Sequence, residues 1–126
     1  MAIKISHDAS APTAAVEWMI TRPLPDYDLA GTEASVPREV DGILVTQGFK
    51  DLLDDARGIL DGTLRDKGLE VVQLTGAICP DGSVFRPGIW LVLREAGAAA
   101  NQAMSPGARV RVAAVAEDLR SRLALS

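Results

Sequence analysis

Residues Glu70 to Arg94 constrain the fold more than any other stretch of this chain: EVVQLTGAICPDGSVFRPGIWLVLR. Two apolar runs, Val71 to Ile78 and Val84 to Leu93, flank the turn-forming cluster Cys79, Pro80, Asp81, Gly82 and Ser83. Proline presets φ and glycine admits positive φ, so the chain reverses there. Both arms are rich in the β-branched and aromatic residues that fit a pleated surface, and the stretch reads as a β-hairpin. Gly76, Gly82 and Gly88 read as backbone devices for turning and bulging. Trp90, one of two tryptophans, reads as the anchor that packs the hairpin against the clearest helix of the chain. The tip, Pro80, Asp81 and Gly82, is left as a candidate partner contact.

Ahead of the hairpin, Ile3 and Ile5 alternate in a short strand over Ala2 to Ser6. Ala14 to Thr21 puts Val16, Trp18 and Ile20 on one side and Glu17, Met19 and Thr21 on the other, the period of a half-buried strand. A helix begun at Ser10 and Pro12 competes with that reading. Val, Trp, Ile and Thr lose rotamer freedom in a helix, and Pro23 ends the run, so the strand is preferred. From Arg22 to Glu39 the sequence has three prolines and no sustained periodicity, which reads as a long loop. Loops of that length in compact domains usually have a function, lie against something or are disordered. Pro25, Asp26, Tyr27 and Asp28 make it a candidate partner-contacting arm, with a mobile surface loop as the alternative. Val40 to Thr46, VDGILVT, fits a buried strand.

The clearest helix follows. Phe49, Leu52, Leu53, Ala56, Ile59, Leu60 and Leu64 form one apolar stripe on a 3.6-residue wheel. Asp51, Asp54 and Asp55 lie early and Arg65 and Lys67 late, the order that complements a helix dipole, and Gly68 stands where a left-handed cap would end it. Gly58 and Gly62 lie on the face opposite the stripe, and each costs about 1 kcal/mol against alanine in a helix interior. Close approach by a neighbouring subunit would offset that cost; a pair tolerated by the buried side is the other reading.

After the hairpin, Glu95 to Met104 reads as a loop with a helical turn or two. Ser105 and Pro106 then form a helix start, with Ala108, Val112, Val115, Ala116, Leu119 and Leu123 on one face. The alternation at Arg109 to Val112 also permits a short strand over 109–115. In a continuous helix Arg109 and Arg120 border the stripe on one side and Arg111 and Arg122 on the other, because 11 residues make three turns. Their stems could cover the edges of the core, or their heads could meet an acidic helix of a neighbour.

The fold class that follows is α+β: one domain over 1–126, a small, mainly antiparallel sheet with a central hairpin, packed by two amphipathic helices. A chain of 126 residues buries roughly two thirds of its unfolded surface, and 34 residues are Val, Leu, Ile or Phe, enough for a core without staples. Lone Cys79 reads as structural and leaves the redox compartment open. No long apolar stretch indicates a signal or a membrane span, so no membrane partner is expected.

Chemistry-bearing patterns are missing. His7 is the sole histidine, which rules out a triad with a second histidine and a multi-histidine metal site. The pairs Asp26/Asp28 and Asp54/Asp55 lack a context that would drive their pKa values apart or complete a cation site. Gly76, Gly82 and Gly88 lack dinucleotide spacing, and there is no phosphate-loop lysine or nucleophile elbow. No catalytic, cofactor or metal site is expected. Nucleic acid is not expected as the primary ligand either: net charge is −4, and only 5 residues are aromatic. Charge is uneven, with 7 basic and 13 acidic residues up to Glu70 and 6 basic and 4 acidic beyond it.

Over the whole chain, the PDGSVFRPG hairpin, the Arg22 to Glu39 arm and the missing chemistry resemble the small virion proteins of tailed bacteriophages: capsid decoration proteins, head-to-tail connectors, stoppers and tail terminators. The resemblance implies a non-enzymatic, oligomeric structural subunit of the virion, with copies of itself and other structural proteins as partners. A cytosolic accessory domain with a ligand pocket near Trp90 is the competing class. A second likeness joins GAICPDGSV and SPGARVRVAAV to the glycine-rich hairpin and closing strand of a small β-barrel appended to some membrane-associated bacterial proteins, without the membrane helices.

Overall fold

The structure, a computed structural model, describes residues 3–6, 11–20, 47–82, 84–99 and 101–123. The arm at 22–39, including Pro25, Asp26, Tyr27 and Asp28, the run Val40 to Thr46, and His7 lie outside the described residues. The elements are β1 (Ile3–Ser6), β2 (Thr13–Met19), α1 (Gln47–Leu64), a short 3-10 turn (Arg65–Lys67), β3 (Leu69–Asp81), β4 (Val84–Glu95) and α2 (Pro106–Leu123). The fold is α+β. Among the described residues four strands form an antiparallel sheet in the order β1-β2-β4-β3, with β3 of the hairpin at one edge of this set and β4 inside.

The hairpin arms are longer than their apolar runs suggest. Cys79, Pro80 and Asp81 belong to β3, paired with Arg86, Phe85 and Val84, so reversal falls beyond Asp81, with Gly82 at φ 62°. The bulge does not coincide with a glycine. Val71 pairs with Leu93 and Gln73 with Val92, which makes Val72 the extra residue, and its side chain is 52% exposed. Gly88 serves a different purpose: a Cβ there would stand 2.5 Å from the Trp18 carbonyl oxygen and 2.6 Å from Cys79 Sγ.

One face of the sheet carries the core. Ala14, Val16 and Trp18 of β2, Ile89, Leu91 and Leu93 of β4, and Leu74 of β3 are buried against Leu52, Ala56, Leu60 and Leu64 of α1 and the stripe of α2. The strand preferred for Ala14 to Thr21 is β2, and its alternation is the one the sequence gives. The tryptophan assignment needs correction: Trp18 is the fully buried one, and its Nε1 donates to the Ala116 carbonyl of α2 at 3.3 Å. Trp90 alternates out of phase with Ile89 and Leu91. It is half-buried on the opposite face, beside Glu17 and Thr75 in register.

Both helices have the predicted buried faces. In α2, Ala108, Val112, Val115, Ala116, Leu119 and Leu123 are buried and Val110 is 71% exposed. The helix is continuous, so neither a strand over 109–115 nor a closing barrel strand over Ser105 to Val115 forms. Its start is fixed by Ser105, whose Oγ accepts from the Ala108 N–H at 3.2 Å and donates to Glu95 Oε2 at 3.3 Å. The segment before it is a loop with two hydrogen-bonded turns, Ala98 N–H to the Glu95 carbonyl at 3.3 Å and Gln102 N–H to the Ala99 carbonyl at 3.0 Å, and the Ala96 N–H donates to the Gly68 carbonyl at 2.9 Å. In α1 the dipole reading is corrected. The helix begins at Gln47, leaving its first turn without an acid, and Arg65 and Lys67 fall in the 3-10 turn beyond it. Gly68, at φ 64°, ends that turn as the left-handed cap.

Candidate functional site

The two helices lie side by side on the sheet and leave between them, on their outer surface, a groove of about 1150 Å³. The α1 wall presents Asp54, Asp55, Gly58, Ile59, Gly62 and Thr63, the 3-10 turn adds Asp66 and Lys67, and the α2 wall presents Ala114, Asp118, Arg122 and Leu123. The stripe of α1 turns inward, so spacing alone directs Gly58 and Gly62 outward into this opening. Both are exposed, and a Cβ built on either meets nothing within 4 Å. Among the described residues no packing contact demands either glycine.

Polar contacts tie the walls together. Asp118 accepts from Thr63 Oγ1 across the groove at 3.5 Å and from Arg122 Nε, four residues along its own helix, at 3.1 Å. The groove thus has a glycine floor on one side, a small Ala114 opposite it, and a bordering set of carboxylates and cations. The small residues Gly58, Gly62 and Ala114 leave room in that groove for a closely approaching helix or loop.

The other predicted contacts are dispersed. Arg120 pairs with Glu117 in a two-pronged contact, Nε and Nη2 each at 2.8 Å, which raises the guanidinium pKa and holds the Glu117 carboxyl below its ordinary value. Arg111 lies at the other end of α2, with Nη2 3.9 Å from Glu95 Oε2. Arg109 is half-buried at that same end. Of the four arginines only Arg122 joins Gly58 and Gly62 at the groove, while the backbone of Pro80 and Asp81 closes the hairpin end of β3, followed by Gly82. Asp118, Thr63 and Ala114 were not singled out from sequence. The four-residue spacing of Asp118 and Arg122 was the available signal for one of them.

A second feature lies on the sheet face away from the helices. Cys79 is buried, and its thiol donates a hydrogen bond to Glu17 of β2, reaching over Gly88 of the intervening strand. Burial, reinforced by the Glu17 charge and that hydrogen bond, pushes the thiol pKa from 9.0 up to about 12. A thiol so held is a poor nucleophile. Among the described residues no group of three or more His, Cys, Asp or Glu side chains could hold a metal ion, and no helix is long and apolar enough to cross a membrane.

Comparison with known proteins yields no protein-family model, no curated protein and no solved structure that matches this chain.

Proposed function

We infer that this protein is a non-enzymatic structural subunit that joins a larger assembly through the outer surface of its helix layer. The observation that carries the reading is the glycine pair. Gly58 and Gly62 each disfavour α1 by about 1 kcal/mol relative to alanine. Among the described residues nothing lies within 4 Å of a Cβ built on either, and both open onto the same groove as Ala114. A backbone seated in that groove would use the space that alanine methyl groups would fill.

Within this reading the assembly is a tailed-bacteriophage virion, and the protein is a decoration, connector or tail-terminator component with copies of itself and other structural proteins as partners. The support for that narrower placement is the overall character of the sequence. The competing reading is an accessory domain with a ligand pocket at Trp90, which is half-buried on the sheet face away from the helices. The test is co-sedimentation. Antibody to this chain should detect it in purified native particles at a fixed stoichiometry; a chain recovered only as free monomer, bound to no particle, would refute the assignment.

A further inference from the structure

Strand β3 is a 13-residue edge strand, and among the described residues β4 is its only strand neighbour. Exposed edges are normally blunted by charge, proline, bulges or shortness, since a free row of N–H and C=O groups templates pairing with another chain. Among the described residues the blunting devices stand only at the ends of β3: the extra residue Val72 at one and Pro80 at the other. The seven residues between them, Gln73 to Cys79, run in regular register with β4 and carry no charge. Gly76 stands at their middle, and an interior strand glycine often marks close approach of another backbone.

The two ends are complementary to each other. We propose that β3 pairs antiparallel with β3 of a second copy of this chain, on a two-fold axis at Gly76, to join the two sheets edge to edge. This rests on the assembly role above and names one of its contacts. In that register Pro80, which has no N–H to donate, falls opposite Val72, where the ladder is already interrupted. The exposed Val72 side chain gains an apolar neighbour there. Glu70 falls opposite Gly82 and Asp81 opposite Val71, so no like charges face each other. A one-residue slip would set Glu70 against Asp81 and reverse the faces of one copy.

The test follows the mass of the full chain by sedimentation equilibrium over a wide concentration range, with residue-resolved amide exchange at both extremes. In the monomer, alternate amides from Gln73 to Cys79 exchange fast because they point off the edge; in the dimer all are protected. Val72→Lys raises the dissociation constant by about tenfold or more, since it sets a charge in the pairing edge. Val110→Lys, on α2, leaves it unchanged. A dimer in which the alternate amides stay fast, or which ignores Val72→Lys, overturns the edge contact without touching the assembly role. A chain monomeric throughout also overturns it, and co-sedimentation then decides separately whether the assembly role stands.

Discussion

Replacing Gly88 by alanine tests how the sheet is packed. The added methyl would sit 2.5 Å from the carbonyl oxygen of Trp18 and 2.6 Å from Cys79 Sγ. The thiol could rotate away, but the carbonyl belongs to the backbone of β2, which is locked to β4 from Thr13↔Arg94 to Met19↔Gly88. Relief therefore requires the two inner strands to separate locally. Overpacking of this kind costs about 1–3 kcal/mol, and collision with backbone puts Gly88→Ala toward the upper end. The lower freedom of alanine in the unfolded chain returns about 0.5–1 kcal/mol. The net loss is about 2 kcal/mol, which for a domain of this size lowers Tm by about 6–10 °C. Urea unfolding followed by far-UV circular dichroism measures it, and an unchanged m-value would show that the loss is one of stability. A variant as stable as the parent would refute the close approach of β2 and β4 at this point.

Other consequences are open to measurement. Because burial raises the Cys79 thiol to about 12 from 9.0, the folded chain keeps its proton where the unfolded chain has lost it. Stability should fall as pH rises from about 9 toward about 12, by at most about 1.4 kcal/mol per pH unit, and Cys79→Ala should remove that component. At pH 8 a thiol reagent should modify Cys79 no faster than the chain opens; immediate reaction would contradict its burial. Ser105→Ala removes the acceptor for the Ala108 N–H and a partner of Glu95, and should cost about 1 kcal/mol in thermal unfolding.

Much of this architecture was legible in the sequence because its signals were periodic. The alternation of Val16, Trp18 and Ile20 and the stripes of α1 and α2 each depend on one face meeting one core, and they translated into burial directly. The choice between the two tryptophans did not. Trp90 lies among consecutive apolar residues, so alternation has no polar phase there to mark its face, and only the pairing of β4 with β2 and β3 assigns it outward. The bulge at Val72 was equally hidden, since no glycine marks it. Helix caps were readable from Ser105 and Gly68, whereas the first turn of α1 was misjudged because the helix starts ahead of its apolar stripe. For the groove, sequence supplied Gly58 and Gly62 as outward and unexplained. It could not supply Thr63 or Ala114, which become neighbours only when the helices are laid side by side.

If Gly58 and Gly62 are kept for a contact outside the chain, the double variant Gly58→Ala/Gly62→Ala measures that contact most directly. Among the described residues neither methyl group meets an atom within 4 Å. The isolated variant should therefore be more stable than the parent by about 2 kcal/mol in urea unfolding. The same variant should fail to incorporate into the native assembly, or be displaced from it by the parent chain. Gain of stability with loss of assembly is the predicted result. Gain of stability with assembly intact would contradict it, leaving the glycines as a tolerated pair and the groove without a role.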